Sequence, residues 1–154
     1  MNIKIRLYAT WWNKPPNATV SIKDNVYFSG EITANKTCPY TIEFEHDTKN
    51  DSAISLAIAL VDKDDYQTVV EQDKIVKDQL LHIDGIEING IELGLLVYKG
   101  IYKPIYHSTW LKEQQCLGHH IPESLQSINV LGHNGTWAID FTVPFHIWYL
   151  ENLP

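Results

Sequence analysis

Residues 54–90 read ISLAIALVDKDDYQTVVEQDKIVKDQLLHIDGIEING, a pattern that predicts two strands joined by an acidic loop. It opens with large apolar residues at every second position, separated by Ser and Ala: Ile54, Leu56, Ile58 and Leu60. Such alternation is typical of a strand with one buried face. A second strand begins at Leu80, and its apolar residues change parity across Gly85, which predicts a β-bulge at the glycine. We expect the two strands, 54–61 and 80–88, to lie beside each other.

The same alternation recurs through the rest of the chain and favours a mainly β fold. An amphipathic strand opens the chain, a tight hairpin surrounds Asp24-Asn25, and a final strand spans residues 137–143. Strands spaced by about 8 to 12 residues, with turn residues between them, are typical of an antiparallel sandwich. The predicted fold class is therefore an antiparallel, jelly-roll-like β-sandwich, with residues 1–154 forming a single domain.

The part of the chain after residue 90 departs from a simple succession of strands. Residues 91–97 continue the alternation and predict a further strand, whereas residues 100–107, GIYKPIYH, predict an aromatic loop. A Ser-Thr pair can then cap a helix, and a later Pro can open another helical turn at 122–126. We expect a short helical insertion near residues 108–127. The apolar segment 145–150 should pack on the sandwich together with the final strand.

Composition limits the partners. The sequence contains 19 acidic and 12 basic residues, for a net charge of −7. Because nucleic-acid binding needs Lys and Arg to neutralise phosphates, we expect no nucleic-acid partner. The N-terminus lacks the apolar run of a signal peptide, and no stretch approaches a membrane span, so we predict synthesis in the cytoplasm and no membrane partner. We expect Cys38 and Cys116 to be buried free thiols, with a single disulfide as the alternative.

A strand, an acidic loop and then the segment 78–90, DQLLHIDGIEING, resemble the last two strands of the calcium-dependent, xylan-binding carbohydrate-binding modules. That family ends the first strand with an Asn-Asp pair. After its acidic loop come an Asp-Arg-Asn-Leu-like segment and a strand of the form Val-Asp-x-Ile-x-Val-Asn-Gly. The resemblance covers residues 18–90 and implies the fold of such a module. Over its whole length the chain also resembles tailed-phage proteins of unknown role.

The resemblance implies a calcium ion held by the acidic loop. Asp62 stands where the family has its strand-ending Asn, Asp78 matches the acid after the loop, and Lys63 falls where the family has its next acid. Asp64 or Asp65 would then have to supply the missing carboxylate. Calcium takes about six to eight oxygen ligands, which closely spaced Asp residues can provide. The predicted metal ligands are Asp62, Asp64 and Asp78, and a solvated acidic loop is the alternative.

Aromatic residues in or beside loops form a second candidate site. Four of them are predicted to contact a ligand or a partner: Tyr66, Tyr102, Tyr106 and Trp110. Sugar rings stack on aromatic faces, and protein interfaces bury Tyr and Trp preferentially. A third interpretation is that the tryptophans among the loop aromatics, Trp11 and Trp110, cover the ends of the sandwich core. We predict that the segment 98–117, whose aromatic residues alternate with lysines, makes a protein contact.

The sequence contains no recognisable set of catalytic residues. Its seven His residues lack the spacing of metal-binding or catalytic motifs, and there is no nucleophile elbow or phosphate-binding loop. With 19 acids, a pair for glycoside cleavage could be chosen in many ways, so the presence of one predicts nothing. We predict no catalytic residue. His82 is expected to pair with the neighbouring Asp84 in a structural role.

Three functions follow from these observations. The first is a non-enzymatic structural or adhesion protein with a fold like that of carbohydrate-binding modules. Such a protein would assemble as a homo-oligomer or with virion proteins, as a head decoration or tail component of a phage particle. The second is a calcium-dependent carbohydrate-binding module with a polysaccharide partner. The third is a small glycoside-acting hydrolase.

Overall fold

The computed structural model describes every residue from Met1 to Pro154. The strands are β1 (Asn2–Thr10), β2 (Asn17–Ile22), β3 (Asn25–Glu31), β4 (Tyr40–Glu45), β5 (Ala53–Val61), β6 (Val69–Glu71), β7 (Lys74–Lys77), β8 (Leu80–Ile88), β9 (Ile91–Glu92), β10 (Ile101–Pro104), β11 (Leu125–Gln126), β12 (Val130–Leu131) and β13 (Gly135–Thr142). The α-helices are α1 (Ser108–Cys116) and α2 (Phe145–Asn152), and 3-10 helices span Asp65–Gln67 and Gly94–Lys99. None of these helices has the length and apolar character that crossing a bilayer requires.

The strands form two antiparallel sheets. The first has the order β12-β8-β1-β4, with β9 paired to β8, and the second has the order β11-β10-β13-β5-β2-β3. A separate hairpin of β6 and β7 belongs to the acidic loop between β5 and β8. One cluster of buried apolar side chains draws on both sheets, as it does in a sandwich whose inner faces share a core. The predicted mainly β, antiparallel fold class is confirmed.

β5 and β8 each bury the face that their alternation predicts. In β5 the buried side chains run from Ile54 to Leu60 at every second position, and in β8 Leu81 and Ile83 are buried. The two strands are nevertheless not neighbours, because β5 pairs with β2 and β13 whereas β8 pairs with β1 and β12. The prediction that they lie side by side is therefore wrong. The long acidic loop between them carries the chain from one sheet to the other, which a tight hairpin turn would not do.

The predicted bulge lies beside Gly85. Arg6 of β1 pairs with Gly85, and Leu7 pairs with Ile83, which leaves Asp84 as the extra residue of β8. The extra residue shifts the alternation of side chains by one position. Ile86 and Ile88 therefore face the core, as Leu81 and Ile83 do before the bulge. The Arg6 guanidinium donates to the bulged Asp84 at 3.3 Å, which holds that carboxylate on the outer face.

Residues 91–126 differ from their predicted elements. The alternation at 91–97 yields only β9 followed by a 3-10 helix, because Leu93, Leu96 and Val97 are buried and no strand-like alternation of burial persists. The predicted aromatic loop contains β10, which pairs with β13. The helical turn expected at 122–126 is instead occupied in part by β11, which pairs with β10. The helical insertion therefore consists of α1 alone.

The C-terminal segments complete the second sheet, as predicted. β13 lies between β10 and β5 and buries Trp137 and Phe141. The apolar segment 145–150 lies within α2, and its Phe145 and Trp148 rings lie 5.3 and 5.9 Å from the ring of Phe141. Aromatic rings at such separations interact favourably in edge-to-face or tilted arrangements. The helix thus covers one end of the core.

Both cysteines are free, and both are exposed. The expectation that they are buried is wrong. Cys38 lies in the polar loop before β4, and Cys116 lies in the last turn of α1, a helix with no buried residue.

Candidate functional site

A cleft of about 810 Å³ opens where the acidic loop meets the segment between β10 and α1. The acidic loop, with its β6–β7 hairpin, forms one wall, and the residues around the start of α1 form the other. The turn between β12 and β13 contributes to the floor. The cleft thus brings together the acidic loop and the aromatic segment, two regions that the sequence alone predicts as separate candidate sites.

The wall beside α1 is aromatic. The rings of Tyr106 and Trp110 are stacked with centroids 5.5 Å apart, and the imidazole of His133 lies 5.0 Å from the first and 5.5 Å from the second. The Tyr106 hydroxyl donates to the carbonyl of Pro122 at 2.8 Å, which fixes the orientation of its ring. Burial, followed by the nearby Lys63 ammonium, lowers the pKa of His133, so this imidazole favours its neutral form. All three rings are half-buried and line the cleft.

The opposite wall carries exposed carboxylates. Oδ2 of Asp65 lies 3.1 Å from Nε2 of His107, and this contact joins the two walls of the cleft. Asp64 lies 3.5 Å from the Nζ of Lys14. Exposed pairs of this kind contribute little to stability, about 0 to 1 kcal/mol. Their carboxylate oxygens remain accessible as hydrogen-bond acceptors in the cleft.

The floor contains a paired charge. The Lys63 side chain is only 8% exposed, and its Nζ lies 2.7 Å from Oδ1 of Asp78 and 2.6 Å from the carbonyl oxygen of Gly132. The same Asp78 oxygen accepts from the Thr68 hydroxyl at 2.7 Å. The side chain of Asn134 holds the backbone of Lys63 through two hydrogen bonds, one to its N–H and one to its carbonyl. The floor is therefore a connected polar network.

The predicted metal ligands do not come together. Asp62 is exposed with a φ of 59°, Asp64 contacts Lys14, and Asp78 is committed to the floor network. No group of three or more His, Cys, Asp or Glu side chains converges as a metal-binding cluster. The donor set does not fit calcium, because the carboxylate and the carbonyl that converge on the floor surround an ammonium group.

The predicted contact residues divide into three groups. Tyr106 and Trp110 line the cleft, whereas Tyr66 is 85% exposed and lies outside its lining. Tyr102 is 1% exposed, so its interpretation as a contact residue is wrong. Its hydroxyl donates to the carbonyl of His133, and burial raises its pKa to about 12. It faces inward because it lies in β10, where alternate side chains point to the core.

Among the cleft residues that sequence reasoning did not identify are Lys63, His133 and Asn134. The only sign of Lys63 was that a lysine stands where the related family has an acid. Nothing in the sequence indicates that His133 and Asn134 belong to a site, because Asn134-Gly135 has the pattern of an ordinary turn. The hydrogen bonds between Asn134 and Lys63 of the acidic loop span 71 residues of sequence.

No protein-family model matches the sequence, and no curated protein does. Solved structures do match. The carbohydrate-binding module vCBM60 in complex with galactobiose is 12% identical, with 90% of this chain and 96% of the module covered and a TM-score of 0.50. A selenomethionine form of vCBM60, described with two families of calcium-dependent modules linked by circular permutation, is 9% identical, with 89% and 87% covered and a TM-score of 0.55.

This chain has the fold of a carbohydrate-binding module. The predicted resemblance to this class is confirmed, and in structure it reaches well beyond residues 18–90 because about nine-tenths of the chain is covered. At these identities the likeness establishes the fold alone. The resemblance to tailed-phage proteins stays a prediction.

Proposed function

We propose that this protein is a non-catalytic module that binds a neutral saccharide in the cleft between the acidic loop and α1. The observation that carries the proposal is the pairing of a stacked aromatic wall with a wall of accessible carboxylates in one cleft. Sugars offer C–H faces to aromatic rings and hydroxyl groups to acceptors, so such a cleft complements both of their surfaces. The fold is shared with a module whose structure contains galactobiose.

Charge favours a neutral sugar over an acidic one. Asp64, Asp65 and Glu113 line the cleft, and its one lysine is engaged with Asp78 in the floor network. An anionic saccharide would meet these carboxylates without a free cation to offset them. The net charge of −7 adds a long-range repulsion of the same sign. Uronic-acid and sialylated glycans should therefore bind less well than neutral ones.

We also propose that the protein binds its saccharide without cleaving it. The structural neighbours are binding modules. In this chain Asp78 is held by Lys63 and Thr68, which gives it a structural role in the floor. An oligosaccharide incubated with the protein should be recovered at its original length, and new reducing ends would support the hydrolase alternative instead.

Replacing Trp110 with Ala should weaken saccharide binding by about tenfold or more, because the stacked wall loses its largest ring. The measurement is isothermal titration calorimetry with galactobiose and with neutral xylo-oligosaccharides, after a screen against immobilised glycans. Trp11→Ala is the matched control, because Trp11 is exposed, donates to the Thr33 carbonyl and does not line the cleft. Affinities that are equal in the two variants, or a wild-type protein that binds no neutral glycan, would contradict the proposal.

A protein contact is the second candidate, and Tyr66 is the residue that favours it. Its ring is 85% exposed in the 3-10 helix Asp65–Gln67 of the acidic loop and does not line the cleft, so a partner could cover it without entering the cleft. The predicted roles in a homo-oligomer or a phage particle stay predictions. Light scattering of the wild type and of Tyr66→Ser tests self-association through this residue.

A further inference from the structure

Lys63 is the one lysine whose side chain lies inside the floor of the cleft. It is 8% exposed, and its carboxylate partner Asp78 is 17% exposed. Lysine is rarely buried to this extent without a partner, because removing an ammonium group from water is costly. The position of this charge therefore reflects a structural requirement of the surrounding oxygens.

Oxygen atoms from separate parts of the chain converge on this ammonium group. Oδ1 of Asp78 lies 2.7 Å from Nζ, and the Gly132 carbonyl oxygen lies 2.6 Å from it. Asp78 Oδ1 also accepts from Thr68 and from the backbone N–H of Gln79. The ammonium thus joins the start of the acidic loop, its end, and the turn before β13.

A bound cation commonly makes this kind of connection. Calcium gathers carboxylate and carbonyl oxygens from loops that would otherwise repel one another or move apart. Here a carboxylate and a carbonyl are gathered around a nitrogen that belongs to the chain. A divalent ion at the same point would meet the positive charge and the atoms of Lys63 itself.

We infer that the Lys63 ammonium fills the position at which the sequence resemblance predicts a calcium ion, and that it holds the acidic loop on the sandwich without calcium. The family resemblance in sequence places an acid where this chain has Lys63. A lysine at this position supplies the cation covalently. The inference concerns stability and metal dependence, so it goes beyond the proposed saccharide binding and does not depend on it.

Thermal unfolding of the purified protein tests this inference. The melting temperature of the wild type should be the same in millimolar CaCl₂ and in EDTA, and calorimetric titration with CaCl₂ should show no saturable heat. Lys63→Met should lower the melting temperature by about 10 °C, because it leaves the largely buried Asp78 carboxylate without a positively charged partner. Lys14→Met is the matched control, since the Lys14–Asp64 pair is exposed, and it should change the melting temperature by about 2 °C or less.

A second substitution distinguishes loss of the charge pair from loss of packing. Asp78→Asn added to Lys63→Met removes the unpaired carboxylate and should recover part of the melting temperature. The inference is overturned if CaCl₂ raises the melting temperature of the wild type, if calorimetry shows calcium binding, or if Lys63→Met is as stable as Lys14→Met. If Lys63→Met is too unstable to purify, the melting temperature of the double variant and the calcium titration of the wild type still test the inference. These readouts are thermal, so a protein that bound no saccharide would leave them unchanged.

Discussion

At the scale of single residues, His82 shows how burial sets a charge. Its ring stacks on Tyr8 with centroids 4.3 Å apart, and its Nε2 lies 2.8 Å from the Thr10 hydroxyl oxygen. The expected pairing with Asp84 is wrong, because that carboxylate belongs to the bulge and is held by Arg6. Burial, followed by the positive charge of Lys36, lowers the pKa of His82 below its ordinary value.

The lowered pKa predicts a loss of stability in mild acid. The unfolded chain binds the His82 proton at about pH 6.5, whereas the folded chain resists it, so the free energy of unfolding decreases as pH falls below about 6.5. His82→Phe keeps the stacking on Tyr8 and removes the titrating group. Urea denaturation at about pH 7.5 and about pH 5.5 should show a smaller loss of stability for this variant than for the wild type. Some pH dependence should remain in the variant, because the pKa of His133 is also lowered. Equal losses of stability in the variant and the wild type would contradict the role of His82.

At the scale of elements, the entry to β10 requires a glycine. A Cβ at Gly100 would fall on the ring of Trp137, which is fully buried in β13 and donates from Nε1 to the Ile128 carbonyl at 3.1 Å. The ring cannot move aside without losing this hydrogen bond and its place in the core. The close approach of β10 to β13 thus depends on the absence of a side chain.

Gly100→Ala should therefore destabilise the protein by about 1 to 3 kcal/mol, the usual cost of overpacking a core. The matched control is Gly30→Ala in β3, where a Cβ would meet only the edge of Phe28 at 3.4 Å. That change should alter the free energy of unfolding by about 0.5 kcal/mol or less. Chemical denaturation measures both values, and similar losses in the two variants would show that β10 can shift away from Trp137.

At the scale of the whole molecule, the C-terminal third is part of the sandwich. β13 pairs with β5 from Gly135↔Leu60 to Thr142↔Ala53, so it pairs with every residue of that strand except Val61. Without residues 91–154, β5 would become an open edge, and the β5 residues that pack against Trp137 would lose their cover. The core is shared by segments from both ends of the chain.

A chain that ends at Gly90 should accordingly fail to fold cooperatively, although the family resemblance in sequence ends there. Circular dichroism melting and the dispersion of an NMR spectrum measure this. A chain shortened only by Leu153–Pro154, which follow α2, is the control and should melt like the full protein. A cooperative transition in the chain ending at Gly90 would show that residues 91–154 are an addition to a complete module.

The local properties of the fold can be predicted from the sequence alone. Apolar alternation identified the buried faces of β5 and β8, and the change of parity at Gly85 located the bulge, because both patterns follow from the two-residue period of a strand. The acidic loop and the aromatic segment were each recognised as candidate sites. Both can be recognised in the sequence because each is a cluster of charged or aromatic residues within a short segment.

The way in which these local parts combine depends on contacts between distant residues and is seen only in the folded protein. In the folded protein β5 and β8 lie in opposite sheets. Tyr102 faces the core, whereas Tyr106, four residues later, lines the cleft. Folding also brings Asn134 to Lys63 and so creates the floor of the cleft. The physical reason is that strand pairing and burial of charge depend on contacts between residues far apart in the chain. No pattern within a short window specifies which distant segment will supply the partner.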